Sequence, residues 1–332
     1  MDYEKFKTAV LRSGIPLEKT ISQALYPLDI CDIGEYFYER DNKLFSIDSI
    51  STTHFQLRFH TETDPDDVKF FQFNINFLIE CKYKEPNHRW VFASYQHPKD
   101  LIPGRIMFDT IFLDTLLQHK LNRNGYVLNE DNPGYCNITH QIAYGEILDS
   151  GIPLVNTGAE IIENDKKPNG AIIREALSQI SYGVASHTVD EIKNYLEMDC
   201  DLIDLGVLIY PVIVTTADLF LIKKYQNIDK IKASKKVEES FEKVSAVMYC
   251  VAPNSQISDY FASRMRSNKV ELLRSSSLTE KSIDRYIERF RWLHPPILIL
   301  NFSSFKKNMK RIKERYGKLF TSIFDNHISK LK

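Results

Sequence analysis

Between residues 70 and 84 apolar and polar side chains alternate. Phe71, Phe73, Ile75, Phe77, Ile79, Cys81 and Tyr83 fall on one side, and Gln72, Asn74, Asn76, Leu78, Glu80, Lys82 and Lys84 on the other. Period two predicts a strand with one strongly apolar face. Upstream, Leu17, Ile21, Ala24, Leu25 and Leu28 recur at helical spacing behind Pro16, which suits a first helical turn. Short strand-like runs at Glu35–Glu39 and Leu44–Ser51 flank the polar stretch Arg40-Asp41-Asn42-Lys43 and predict a hairpin. A further strand is expected at His54–His60, ahead of the acidic loop 61–67, and another at Arg89–Tyr95.

Past Gln96 the pattern loosens. A helix is expected at Ile111–Lys120 among Gly-, Pro- and Asn-rich connections, then a helix at Ala171–Gly183. Leu205–Thr215 and Val244–Val251 read as buried strands. Two polar helices, a short strand at Ile297–Asn301 and a basic helix from Ser303 complete the chain. The order helix, three strands, helix, strand predicts an α/β fold, α-β-β-β-α-β, with a mixed central sheet flanked by helices.

Composition narrows the class. The chain has 332 residues, 43% hydrophobic and 26% charged, as folded proteins do. No apolar run approaches the 18 residues of a membrane span, and the first residues carry no signal-peptide pattern. Five scattered cysteines without a CxxC pair argue for a reducing compartment and against a zinc site, so a cytoplasmic protein is expected. Charge is split along the chain. Residues 264–332 hold 17 Lys/Arg against 6 Asp/Glu, while the remainder holds 26 against 38. Such asymmetry points to an anionic partner for the C-terminal part.

The candidate chemistry lies at the end of the alternating run. Glu80 and Lys82 share a strand face, and Asp48 lies within the preceding strand in FSIDSIS. If those strands are neighbours, two carboxylates and an ammonium converge. Mg²⁺ takes one or two carboxylates and keeps waters, and the Cys81 carbonyl is placed to add an oxygen. That constellation suits metal-assisted hydrolysis of a phosphodiester. The triplet alone is weak evidence, because Asp67-Val68-Lys69, Asp165-Lys166-Lys167 and Glu191-Ile192-Lys193 also fit it. Its context, a carboxylate upstream and a Glu-bearing helix before both, is what raises it.

GIPLEKTISQAL, YFYERDNKLFSIDSIS and INFLIECKYKEPNHRWVFAS together resemble the PD-(D/E)xK nuclease superfamily, with its restriction-endonuclease-like fold, over residues 13–96. The resemblance implies Asp48 and Glu80 as ligands of Mg²⁺ or Mn²⁺, Lys82 as the catalytic lysine, and Glu18 on the first core helix as a fourth member. Gln96 matches an accessory glutamine of some members. Ile47 replaces the motif's proline, and the spacing of the two carboxylates is long.

The resulting expectation is a nuclease domain over 1–252, with an insertion at about 97–169, and a basic, mostly helical extension over 253–332 packed on the core. The expected activity is Mg²⁺-dependent cleavage of DNA, of the kind found in restriction or anti-phage defence. Lys84, Arg89, Arg264 and Arg266 are expected to contact nucleic acid, and His88 and His97 phosphate. An NTPase or another defence subunit is the expected protein partner. A nuclease-like assembly subunit and an RNA nuclease are the alternative readings.

Overall fold

The computed structural model describes residues 2–60, 68–94, 110–111, 151–163, 169–197, 202–252, 254–269, 280–292 and 295–323. The first helix expected from Pro16 is preceded by another, so the chain opens with α1 (Tyr3–Arg12) and α2 (Ile15–Leu25). Three antiparallel strands follow: β1 (Cys31–Arg40), β2 (Lys43–His60) and β3 (Val68–Lys82). The two strands expected at 44–51 and 54–60 are one, because Ser51, Thr52 and Thr53 continue the ladder opposite Phe77, Asn76 and Ile75. β-branched threonine favours the extended backbone, and tertiary pairing overrides the local polarity.

β4 (His88–Ser94), β5 (Thr110–Ile111), β6 (Leu154–Ile162), β7 (Leu202–Thr215), β8 (Asp218–Ile222), β9 (Phe241–Val244), β10 (Ala246–Tyr249) and β11 (Ile297–Asn301) complete one mixed sheet. Its order is β1-β2-β3-β7-β11-β10-β6-β4-β8-β9, with β5 on β7. The strand expected over Val244–Val251 is interrupted at Ser245 into β9 and β10. β11 lies between β7 and β10, so residues 253–332 contribute a central strand as well as helices. Of the helix expected at Ile111–Lys120, Ile111 pairs with Val207 in a strand and the rest lies outside the described residues.

Two apolar layers sandwich the sheet. On one face lie α3 (Ala171–Glu197), α6 (Ser255–Ser267) and α7 (Glu280–Trp292), packed over Ile47, Ile50, Leu78, Ile209 and Ile213. On the other, α2 and α8 (Phe305–Ile323) cover Phe73, Ile75, Phe77, Ile79, Cys81, Tyr210 and Val212. Two short helices, α4 (Ile228–Ala233) and α5 (Val237–Ser240), connect β8 to β9. α3 runs on past Gly183, where a helix end was expected. A Cβ there would sit 2.6 Å from the Ile47 side chain, so this glycine lets helix and sheet approach closely. Among the described residues no helix is long and apolar enough to cross a membrane.

Candidate functional site

β3 is central, with β2 antiparallel on one side and β7 parallel on the other. Its alternation holds to the end. Cys81 is buried with the α2 and α8 layer, while the Lys82 ammonium reaches Gln179 of α3 across the other face. Glu80 and Lys82 are thus on the same side, and their side chains form a salt bridge. In the sheet, Lys82 lies in one row with Thr215 of β7 and Asn301 of β11.

Asp48 is brought in by a bulge. Gly34 pairs with Ile50 and Tyr36 with Ile47, so two steps along β1 match three along β2. The extra residue keeps Ile47 and Ile50 in the same apolar layer and breaks the alternation at Asp48–Ser49. Bulges of this kind re-aim side chains. The β2–β3 ladder reaches Ser49–Ile79, and beyond it Asp48 Oδ2 accepts the Cys81 N–H at 2.6 Å. Glu18 joins from α2. Gly14 caps that helix at φ 85°, a left-handed conformation suited to glycine, and a Cβ on it would lie 2.9 Å from Glu18 Oε1.

The charges converge as well as the chain. Burial pushes the Glu80 carboxyl up to about 8, with the Asp48 charge adding to the rise and Lys82 opposing it. Glu80 is 1% exposed, and among the described residues its Oε2 has no hydrogen-bond partner. Asp48 is also raised, by burial first, against the pull of the Cys81 N–H and Lys82. Glu18 is raised by burial, by Asp48 and by Glu35, a β1 carboxylate that the sequence did not single out. Burial works to lower Lys82, but Glu80 and Asp48 outweigh it and hold the lysine protonated. Asp48 disfavours the charge of Glu80, and Glu35 that of Asp48, so the carboxylates form a site short of positive charge.

Gln179 was also missed. Its Nε2 donates to the Ser46 carbonyl at 2.7 Å, two residues before Asp48, and its Oε1 lies 3.5 Å from Lys82 Nζ. It lies 97 residues from Lys82 in sequence, on a helix where a lone polar residue carries no signal.

Several residues expected to meet a substrate are engaged by the fold. Lys84 Nζ lies 3.0 Å and His88 Nδ1 3.1 Å from Glu160 Oε1, and the Trp90 indole N–H donates to the same oxygen at 3.2 Å. Arg89 pairs with Glu163 at 2.7 Å, and Arg264 with Asp190 at 2.9 Å. Arg266 is exposed near the end of α6. Gln96 and His97 lie outside the described residues.

Among the described residues no three His, Cys, Asp or Glu side chains stand together as a metal cage. Mg²⁺ does not require one. Two carboxylates, Asp48 and Glu80, with the Cys81 carbonyl and solvent would satisfy its preference for oxygen. The buried Glu80 Oε2, without a partner among the described residues, and the rise that Asp48 adds to the Glu80 carboxyl fit a cation there. Comparison with protein-family models, curated proteins and solved structures finds no match to this chain.

Proposed function

We propose that the chain is a metal-dependent endonuclease hydrolysing DNA phosphodiester bonds, built on a restriction-endonuclease-like core. The observation that carries this reading is the convergence of Asp48 and Glu80 beside Lys82, each carboxyl raised partly by its neighbours. Asp48, Glu80 and the Cys81 carbonyl would hold Mg²⁺ or Mn²⁺, with Glu18 nearby to orient solvent. When bound, the ion supplies Lewis-acid polarisation of the phosphate and a more acidic water.

The chain's own groups do the rest. Lys82 is an ammonium at neutral pH, so it donates hydrogen bonds: to the attacking water and to the charge that gathers on the phosphoryl oxygens. Water oxygen bonds to phosphorus and gives up a proton to solvent, the P–O bond to the leaving sugar oxygen breaks, and that oxygen takes up a proton from solvent. Gln179 adds a second, weak contact at 3.5 Å to the lysine that the Glu80 salt bridge already holds.

The test is cleavage of supercoiled plasmid by the purified chain with Mg²⁺ or Mn²⁺. Nicking is expected, with losses of at least about 10²-fold in Lys82→Ala and Glu80→Gln. No cleavage with any divalent ion would overturn the reading, and preference for an RNA substrate in the same tube would correct its substrate.

A second reading, a nuclease-like subunit of an assembly, is favoured by α1. That helix buries no residue and exposes Tyr3, Phe6 and Val10 at helical spacing. A chain that cuts only after a partner is added would bear it out.

A further inference from the structure

We propose that the outer face of α8 is a docking surface for the phosphate backbone of duplex DNA. This deepens the nuclease reading and rests on it for the identity of the polyanion. α8 is strictly two-faced: Phe305, Met309, Ile312, Tyr316 and Phe320 are buried in the core. Opposite them, Lys307, Lys310 and Lys318 are exposed along about 16 Å of helix. Between Lys306 and Lys318 the sequence holds seven Lys/Arg, of which Lys313 is held by Asp29 at 2.9 Å, and one acid, Glu314, which reaches Lys310 at an exposed 3.7 Å.

Charge and geometry choose the occupant. An interfacial membrane helix sinks its apolar face into lipid, but here the core already holds that face. A polyanion backbone needs only the cations. The position is also right. Asn301, at the end of β11, shares a sheet row with Lys82 two strands away, about 10 Å at ordinary strand spacing. α8 starts four residues later, at Phe305, so its basic face begins at the same strand ends as the carboxylate site, on the α2 side of the sheet from which Glu18 approaches. Arg264, by contrast, is held by Asp190.

The experiment is fluorescence anisotropy of the full chain on a labelled 30-base-pair duplex, without divalent ions, between 50 and 200 mM salt. Each phosphate neutralised contributes about 0.9 to the slope of log affinity against log salt. The triple variant Lys307→Gln, Lys310→Gln, Lys318→Gln should lower that slope by about 2.7. Equivalently, the parent should lose about 40-fold more affinity than the variant across this fourfold salt range. All three positions are exposed, so an unchanged melting temperature is expected and would certify the fold.

An unchanged slope overturns the proposal. So does binding to phosphatidylserine vesicles in place of the duplex. Because no cleavage is read, a chain that binds through α8 yet never cuts would sink the proposed chemistry and leave this surface standing. Cleavage with an unaltered slope would do the reverse.

Discussion

Two buried glutamates, each beside a lysine, behave in opposite ways. Glu160 on β6 is fully buried, and its Oε1 receives Lys84, His88 and Trp90. Burial works to raise its carboxyl, but those three donors outweigh it and hold the group below the usual carboxylate range. Glu80 on β3 is equally hidden, yet among the described residues it has Lys82 alone, so burial first and then the Asp48 carboxylate push its carboxyl up to about 8. Both also keep an unpartnered Oε2, so an orphan oxygen does not by itself mark a site. What separates them is the balance of donors against like charge. Glu160 is satisfied by the fold and supports it. Glu80 is left short of positive charge, an arrangement that a ligand can complete.

Removing each glutamate should break the comparison most visibly. Glu160→Ala strands a largely buried ammonium at Lys84 and should cost about 3–5 kcal/mol of unfolding free energy in urea. Glu80→Gln keeps the volume, relieves the repulsion with Asp48 and leaves Lys82 the Asp48 carboxylate, so it should cost far less than Glu160→Ala at neutral pH. Equal losses from the two variants would mean that Glu80 is structural after all.

The pH dependence should then split by sign. In the metal-free protein, Glu80 takes up its proton near pH 8, against 4.5 for an ordinary glutamate. Between those values the folded state binds more protons than the unfolded one, so stability falls as pH rises. The slope can reach ~1.4 kcal/mol per pH unit and should vanish in Glu80→Gln. Glu160 works the other way, its contribution present above the ordinary carboxylate value and lost as pH falls through its lowered one. Urea midpoints from pH 4 to 9 on both variants would resolve the two limbs.

A smaller effect sharpens the same contrast. At pH 8, Mg²⁺ at ten times its dissociation constant should stabilise the parent by about 1.4 kcal/mol. Asp48→Asn should abolish that gain, while the Glu160 variant, where still folded, should keep it. A gain that survives Asp48→Asn would place the ion elsewhere.

The legibility of these two regions differs for a physical reason. Glu80 and Lys82 could be read because a strand repeats every two residues and the run from Phe71 to Tyr83 keeps that period at every position but Leu78. Asp48 could be singled out by type but not placed, since the bulge that aims it depends on the pairing of β1. The substrate roles expected for Lys84 and His88 rested on their residue type and their closeness in sequence to Glu80 and Lys82. Their partner, Glu160, sits on a strand that the loosened pattern after Gln96 did not reveal, and it pairs with β4 only once the sheet is assembled. Likewise Gly183 looked like a helix end because its packing against Ile47 is a contact between distant elements. Local periodicity was legible; partners supplied from far along the chain were not.

Gln179 is where that lesson meets the mechanism, with the smallest expected effect. Its bond to the Ser46 carbonyl is well formed at 2.7 Å, whereas its approach to Lys82 stands at 3.5 Å, the outer limit of a hydrogen bond. Gln179→Ala should therefore cost about 1 kcal/mol of stability, mostly from the Ser46 bond. Lys82 would keep its salt bridge to Glu80, so single-turnover cleavage should fall by less than about tenfold. A positioning role further demands that KM stay unchanged and that the pH profile of cleavage shift, because a looser Lys82 shields Glu80 less. A loss as large as that of Lys82→Ala would instead mean that Gln179 touches the substrate, and the helix as well as the strands would belong to the reacting centre.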